Sequence, residues 1–233
     1  MPTGQEDSAP ARTEDPTPVR AAAPPPATRA QALVTAALRI VDDGGLEALT
    51  MRRLADAVGL QLPAIYRVFA NKGVLLDEMA EAILADALTE SRGEPWQTEV
   101  AALARRLRRA LLARRDGARI VGGSYAAQRH NLAFADRLIG IMRQAGLHGT
   151  AALWATTTVF CYVLGEALEQ QGQTEDVLDR LDLAGARQTY PHLYATPVEE
   201  IINFDARFEF GLGLILSGLH QRATTPEDRP GER

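Results

Sequence analysis

Residues 50–73 have the sequence TMRRLADAVGLQLPAIYRVFANKG, and this pattern predicts two short helices separated by a tight turn. Thr50 is suited to the N-cap of the first helix, because its hydroxyl can accept a hydrogen bond from a free backbone N–H. Gly59 falls at the turn, where glycine adopts a positive φ at little steric cost. Pro63 suits the first position of the second helix, where a missing N–H leaves no bond unmade. The arrangement is typical of a helix-turn-helix, whose second helix enters the major groove of DNA.

The helices on either side of this unit follow from apolar residues at helical spacing. A first helix is predicted over residues 29–43, and glycines 44 and 45 end it. A fourth helix begins after Asn71, a suitable N-cap, and extends to about residue 91. We expect this helix to be the only connection between the helix-turn-helix unit and the rest of the chain, and therefore the carrier of any signal. The predicted inward residues of the four helices are Leu33, Ala37, Ile40, Val41; Leu54, Ala55, Val58; Ile65, Phe69; and Leu75, Met79, Ile83, Leu88.

The charge of this segment supports a role in DNA binding. Residues 28–73 carry six arginine or lysine side chains and four carboxylates, whereas the whole chain has a formal net charge of −5. Neutralisation of DNA phosphates requires local positive charge, and this segment is the basic part of an acidic protein. From spacing and charge alone, a purely structural helical hairpin is the alternative interpretation.

The composition is that of a soluble globular protein, since 46% of the 233 residues are hydrophobic and 24% are charged. The single cysteine excludes an internal disulfide and suits a reducing compartment. No apolar N-terminal segment of the secretory type is present, so we expect a cytoplasmic protein. Residues 151–165 are uncharged, but they are shorter than the roughly 20 apolar residues that a membrane span requires. We therefore interpret them as part of a buried helix and expect no membrane partner.

Turn-forming and proline-rich segments divide the chain into five parts. Residues 1–27 are rich in proline and poor in large apolar side chains, which predicts a disordered tail. The later boundaries follow from helical patterns and from turn residues near 93–95. The predicted parts are a helix-turn-helix domain over 28–73, a connecting helix over 74–92, an effector-binding and dimerisation domain over 93–223, and a disordered tail over 224–233.

Two long helices, predicted over residues 150–171 and 197–221, are apolar around most of their circumference, so both must be buried. Pairing with the same helices of a second copy, as a four-helix bundle, would bury them fully. The alternative is that they form the core of a monomer. The polar segment 172–196 between them is interpreted as a loop and a candidate lid over a pocket. Small residues that would let a neighbouring helix approach closely are Gly211, Gly213, Ser217 and Gly218.

No residue pattern indicates catalysis, and we expect neither an enzyme nor a cofactor. The histidines at 130, 148, 192 and 220 lack the spacing of metal ligands. Cys161 lies among apolar residues and is interpreted as a small core residue. The remaining candidates are interpreted as solvated helix-surface groups, namely the carboxylates Glu166, Glu169, Asp205 and Glu209 and the arginines Arg105, Arg106, Arg108 and Arg109.

The sequence also resembles the TetR-type (tetracycline-repressor) family of transcriptional regulators. In the first domain the resemblance lies in AAL at 36–38, GLEALT at 45–50, RRLA at 52–55, VG at 58–59, PAIY at 63–66, NK at 71–72 and LL at 75–76. In the second domain, WQ at 96–97, RRALL at 108–112, RDGA at 115–118 and residues 208–219 resemble the effector domain of the tetracycline repressors. The resemblance implies an all-α protein, with an N-terminal helix-turn-helix domain and a C-terminal effector-binding domain, that forms homodimers through its last two long helices.

The resemblance also assigns roles toward DNA. It implies that Tyr66 and Lys72 hold phosphates. The residues nearest the bases are then Arg52, Leu62, Pro63, Ala64 and Arg67. Arginine contacts with guanine and apolar contacts with thymine methyl groups are the chemistry that this set offers.

Toward an effector, the resemblance places seven residues at the family's ligand-binding positions: Leu88, Leu103, Leu107, Val121, Ser124, Leu138 and, contributed from the second subunit, Glu169. Val121 occupies the position of the family's magnesium-binding histidine, so no ligand for a hard cation remains there. We therefore expect no metal and an apolar, polycyclic or aliphatic effector rather than tetracycline. The alternative is that these leucines fill the core and leave no pocket.

These observations favour a homodimeric, ligand-responsive transcriptional repressor that binds a palindromic DNA operator and releases it when a small effector binds. Two other functions stay open at this point. One is a constitutive DNA-binding protein without an effector, and the other is a small-molecule enzyme with an incidental helix-turn-helix.

Overall fold

The computed structural model of the chain describes residues 26–88, 93–124, 128–174, 176–181 and 186–225, and all regular secondary structure within these ranges is helical. The predicted all-α class is therefore confirmed. The two predicted disordered tails lie outside the described residues, apart from positions 26–27 and 224–225.

Residues 26–88 form three helices, which we call the head, and a fourth that leads out of it. The four are α1 Pro26–Gly44, α2 Met51–Ala57, α3 Leu62–Tyr66 and α4 Lys72–Ala87, with a short 3-10 turn at Leu46–Ala48. Helix α1 begins before the predicted start. The predicted core residues of the head are buried, except Val58, which packs half-buried against that core.

The helix boundaries of the head follow from the capping residues identified in the sequence. Thr50 Oγ1 accepts a hydrogen bond from Arg53 N at 3.0 Å, and Asn71 Oδ1 accepts one from Val74 N at 3.0 Å. Gly59 has a φ of +65°, as the tight turn requires. Helix α3 begins one residue earlier than predicted, so Pro63 is its second residue.

The described residues of the C-terminal part, which we call the body, form seven further helices. They are α5 Trp96–Leu112, α6 Gly117–Gly122, α7 Arg129–Gln144, α8 Gly149–Gly172, α9 Val177–Leu181, α10 Ala186–Thr189 and α11 Phe204–Thr224, with 3-10 turns at Leu193–Ala195 and Val198–Ile202. Helix α11 begins later than predicted. A 3-10 turn follows Pro197 instead, and the side chain of Asn203 caps the new helix by accepting a bond from Ala206 N at 3.4 Å.

One hydrophobic core runs through the body and joins it to α4, which packs against α5, α6 and α7. Helix α8 closes the far side by packing on α5, α6, α7 and α11. Helix α4 therefore lies between the head and the core of the body.

Polar contacts fix α11 against the body. Arg105 is exposed, as predicted for a solvated face, whereas the Arg108 side chain is largely buried and contradicts that prediction. Arg105 makes a two-pronged bond to Glu209, at 2.8 and 2.7 Å. Arg108 binds Asp205 at 2.7 Å and Gln170 at 2.7 Å. Because their partners lie 62 to 104 positions further along the sequence, helical spacing within α5 alone could not reveal them.

Helices α8 and α11 approach each other closely at Gly211. A β-carbon at this position would lie 2.3 Å from Tyr162 Oη. That hydroxyl donates to the backbone oxygen of Phe208 at 2.9 Å and to that of Arg207 at 3.2 Å. The predicted need for a small residue here is confirmed, and the neighbouring helix belongs to the same chain.

The outer faces of α8 and α11 carry large apolar side chains that the single chain leaves uncovered. Trp154 is 68% exposed and Phe210 is 71% exposed, and Leu153, Leu168 and Leu214 are also exposed. Cys161 is exposed on α8, so its assignment to the core is wrong. A single chain thus buries only one face of each helix, and the exposed apolar faces call for a partner.

Helix α8 is, within the described residues, the one helix long and apolar enough to cross a membrane, and 33% of its most apolar stretch is buried. Length and composition are the whole basis of this criterion, and core helices of soluble proteins also meet it.

Candidate nucleic-acid interface and ligand-binding region

Helix α3 has one buried side and one exposed side that is accessible to a large partner. Ile65 is fully buried and anchors the helix to the head, whereas Pro63, Tyr66 and Arg67 are exposed. Arg52, in the first turn of α2, is also exposed. A short helix that is held from behind and presents an exposed cation and aromatic ring in front has the form of a recognition helix.

Two of the residues predicted to lie nearest the bases are half-buried. Leu62 packs partly against the core of the head, and Ala64 is also half-buried. Val68, just after α3, also packs partly against the same core. The outward surface of the recognition helix is therefore narrower than the sequence predicted.

The N-terminus of α4 forms a second candidate contact. Asn71 caps the helix, and Lys72 is its first residue. Free backbone N–H groups and the helix dipole favour an anion at such a terminus. Lys72 adds a positive charge to this terminus, and Tyr66 is close to it in the sequence. Together these groups have the chemistry to hold DNA phosphates, and phosphate contacts position a protein on the duplex.

Four of the seven predicted effector residues are buried in the core of the body. Leu103 and Leu107 on α5, Val121 on α6 and Leu138 on α7 are at most 4% exposed, and all belong to one hydrophobic cluster. The structure therefore brings these three helices together at the predicted region, and it fills that region with the leucine and valine side chains themselves.

The other three predicted effector residues lie outside this buried set. Leu88 follows the end of α4 and is half-buried. Ser124, just beyond α6, donates a hydrogen bond to Asp77 of α4 at 2.7 Å. Glu169 of α8 is paired with Arg207 at 2.7 Å. Bonds from Arg207 outweigh the burial of this carboxyl and lower the pKa of Glu169, so it is ionised at neutral pH.

Helix α4 contacts the ends of α6 and α7 through buried polar groups that the sequence analysis missed. Glu81 is buried and accepts hydrogen bonds from the backbone N–H groups of His130 and Asn131, at 2.6 and 2.9 Å. These are free N–H groups in the first turn of α7, so Glu81 caps that helix from outside. Together with the Asp77–Ser124 hydrogen bond, these contacts join α4 to the end of α6 and to the first turn of α7.

Two clefts in the described structure lie beside the helices named so far. One, of about 640 Å³, lies between α1 and α4 and is lined by residues such as Val34, Leu38 and Glu78. The other, of about 390 Å³, lies beside Glu169 and Arg207 and is walled by Leu193 and Pro197. The segment predicted as a lid thus contributes to the second cleft, and Glu169 is the predicted effector residue found there.

No group of three or more histidine, cysteine or carboxylate side chains in the described ranges is arranged to hold a metal ion. His130 lies 3.0 Å from Glu81, and His220 stacks on Trp96.

Helix α4 is not the only connection between head and body, and that prediction is wrong. Arg114 binds Asp42 at 2.9 Å, and Arg119 binds Glu47 at 2.5 Å. Asp116 accepts a hydrogen bond from the backbone N–H of Leu46 at 2.7 Å. The RDGA sequence at 115–118 contributed to the family resemblance, but nothing local to it indicated a partner 70 positions earlier.

A recognition helix on a compact head, joined to a helical body with uncovered apolar faces, defines a helix-turn-helix DNA-binding regulator that works as an oligomer. Comparison with known proteins specifies the family. Residues 33–79 match the family described as "Bacterial regulatory proteins, tetR family", and residues 90–223 match "Tetracyclin repressor-like, C-terminal domain". The chain belongs to the TetR family of transcriptional regulators.

Individual relatives cover most of the chain. The tetracycline repressor protein class C of Escherichia coli is 36% identical over 205 residues, which span 85% of this chain and 93% of that protein. The crystal structure of a possible TetR family transcriptional regulator from Streptomyces coelicolor A3(2) has a TM-score of 0.75 and 41% identity, and covers 83% of this chain and 99% of its own. The structure of ActR from Streptomyces coelicolor with actinorhodin has a TM-score of 0.73 and 31% identity, and covers 84% and 98%.

Family membership fixes the general function. The protein is a DNA-binding transcriptional regulator, and regulators of this family form homodimers and are generally non-enzymatic.

Proposed function

We propose that this protein is a homodimeric repressor that places α3 of each subunit in a major groove of a palindromic operator and leaves the operator when a small apolar effector binds. The observation that carries the proposal is the pairing of an exposed recognition helix on each head with uncovered apolar faces on α8 and α11 of each body. Dimerisation through those faces supplies two recognition helices, and successive half-sites on DNA lie about 34–36 Å apart.

The contacts with DNA divide into two kinds. Tyr66, Lys72 and the N-terminus of α4 bind phosphates and set the position of the head. Arg52 and Arg67 are exposed on the same unit and supply donors for guanine, while Pro63 and Ala64 offer apolar contacts to thymine methyl groups. The operator sequence therefore differs from that of a repressor with other residues on α3.

The effector binds among α5, α6, α7 and α8, at the position of the buried leucines and Val121. This set offers an apolar surface, and Val121 provides no metal ligand. Ser124 and Glu169 provide polar groups at the rim. ActR, whose structure contains actinorhodin, is the basis for proposing a polycyclic ligand, and no catalysis or metal is part of the proposal. As a DNA-binding regulator, the protein acts in the cytoplasm.

The experiment is fluorescence anisotropy of the purified protein on the intergenic DNA beside its own gene, with excess nonspecific competitor, over a series of salt concentrations. The wild type binds in multiples of two protomers. In the variant Lys72→Ala, each dimer loses two phosphate contacts, so the slope of log affinity against log salt falls by about 2. Adding Tyr66→Ala weakens binding further. Arg109→Ala, an exposed cation on α5, is the matched control and leaves the slope unchanged. Unchanged binding in the double variant contradicts the docking.

One observation favours a second candidate, a constitutive DNA-binding protein without an effector: four of the seven predicted effector residues fill the core of the body. Titration of actinorhodin into the preformed DNA complex separates the two. A concentration-dependent fall in anisotropy supports an effector site. Retention of DNA at saturating actinorhodin, with no change in thermal stability of the protein across a panel of polycyclic compounds, supports constitutive binding.

A further inference from the structure

The cleft of about 640 Å³ between α1 and α4 is lined by none of the seven predicted effector residues. Its walls come from α1 of the head, from α4 and from the start of α7 in the body. The volume lies within the range of about 300–1,000 Å³ that small-molecule sites occupy. The cleft is therefore a candidate binding site separate from the effector region.

The floor of this cleft is aliphatic. Val34 and Leu38 line it from α1, and Ala82 and Ile83 line it from α4. These side chains belong to the hydrophobic core or pack against it, so their positions are fixed. Such a floor offers close contact to an alkyl chain or a ring.

Helix α4 adds negative charge above the floor. Glu78 and Asp86 both line the cleft, about two helical turns apart, with Ala82 between them. Glu78 is half-buried and Asp86 is exposed. The salt bridges of the described cleft residues involve neither of these carboxylates. Both are therefore available to a positively charged ligand.

The other charged groups of the cleft leave this negative charge uncompensated. Glu81 accepts the backbone N–H groups at the start of α7 and lies 3.0 Å from the ring of His130. Arg114 is bound to Asp42 at 2.9 Å. Arg129 is exposed at the first residue of α7, where solvent and salt screen its charge.

We propose that this cleft binds an amphiphilic organic cation, whose apolar part lies on the aliphatic floor and whose charged group lies between Glu78 and Asp86. A metal ion is the wrong occupant, because a hard cation requires several oxygen ligands in direct contact. No group of three or more metal-ligating side chains occurs in the described ranges. The inference goes beyond the proposed function, since it depends neither on DNA nor on the effector region.

Apolar contact and charge make separate contributions, which gives the site a testable order of preference. A cation with an alkyl chain gains both, whereas an anion with the same chain gains the apolar contact and is repelled by the carboxylates. Because Glu78 and Asp86 are partly or fully exposed, each one should change the affinity by only a few fold. Together they should change it by about tenfold.

The test is isothermal titration calorimetry of the full chain without DNA. The probes are decyltrimethylammonium and decyl sulfate, which share one alkyl chain, both below the concentration at which they form micelles. The double variant Glu78→Gln/Asp86→Asn removes both charges and keeps the side-chain shapes. Asp56→Asn/Asp136→Asn is the matched control, because it removes the same charge from two exposed carboxylates outside the cleft.

A third variant, Ala82→Leu, fills the floor between the two carboxylates with a residue that favours a helix. Circular dichroism of each variant shows whether the helices persist. The wild type and the control should bind one decyltrimethylammonium per protomer with equal affinity, and decyl sulfate at least tenfold more weakly. The charge variant should bind the cation about tenfold more weakly than the wild type, and Ala82→Leu should not bind it.

Three results would overturn the proposal: no saturable binding of the cation to the wild type, equal affinity for cation and anion, or unchanged cation binding in the folded cleft variants. Equal weakening in the control and the charge variant would also overturn it, since net charge rather than the cleft would then attract the probe. Because DNA is absent, a failure of operator binding bears on the proposed function alone.

Discussion

The exposed apolar side chains of α11 allow dimerisation to be tested with a worked magnitude. Phe210 is 71% exposed and Leu214 is 60% exposed in the single chain, one turn apart on the same face. Complete burial of such a side chain contributes about 1.5–3 kcal/mol, and about two thirds of each remains to be buried. Each side chain therefore contributes about 1–2 kcal/mol in the interface.

A symmetric dimer contains each residue twice. Replacing both by alanine removes most of four apolar contacts, so the double variant Phe210→Ala/Leu214→Ala should lose about 4–8 kcal/mol of association free energy. The dimer dissociation constant should then rise by about a thousandfold or more. Operator affinity should fall with it, because one recognition helix cannot bridge two half-sites.

Sedimentation velocity over a dilution series measures the dissociation constant, and circular dichroism at each concentration shows whether the helices persist. Leu132→Ala is the matched control, because Leu132 is 55% exposed but lies on α7, away from the exposed faces of α8 and α11. A double variant that remains dimeric at the same dilution as the wild type would refute the assignment of these faces to the interface.

Two further predictions concern the packing of α8 on α11. Gly211→Ala places a β-carbon 2.3 Å from Tyr162 Oη, and the overpacking should lower the free energy of unfolding by about 1–3 kcal/mol. Gly140→Ala, in open space on α7, should raise it by up to about 1 kcal/mol. Urea denaturation at a fixed protein concentration measures the free energy of unfolding of each variant. Equal stability of the two variants would contradict the close approach of α8 and α11. Burial, with a smaller effect of Glu166, raises the pKa of Tyr162 from 10.0 to about 12. The neutral phenol therefore stabilises the fold below pH 10 and stops doing so as the pH rises through about 12. Tyr162→Phe should abolish that high-pH ionisation step in an absorbance titration. Superimposable titration curves for the wild type and the variant would contradict the raised pKa of Tyr162.

Features that depend on residues three or four positions apart could be predicted from the sequence. The caps at Thr50 and Asn71, the turn at Gly59 and the buried faces of α1 and α4 all involve near neighbours. In these cases one side chain satisfies a free N–H or lines a helical stripe.

Features that depend on distant partners could not be predicted. The burial of Arg108 depends on which helices pack beside α5. The face on which Cys161 lies depends on which side of α8 the body covers. The hydrogen bond from the Leu46 N–H to Asp116 is the clearest case, because the two residues are 70 positions apart and neither local sequence indicates the other as its partner.

The predicted effector region shows why a pattern of leucines is ambiguous in physical terms. Core packing and an apolar ligand make the same demand on a side chain, namely contact with apolar atoms away from water. Leu103, Leu107 and Leu138 meet that demand within the chain itself. A ligand that enters among them must replace those contacts with its own and move the helices that supply them. Asp77 and Glu81 join α4 by hydrogen bonds to the end of α6 and the start of α7. Separation of α6 and α7 therefore displaces α4 directly. Ligand binding at a site that must first open therefore changes the position of the head. Ligand binding in a preformed cavity would not require that change.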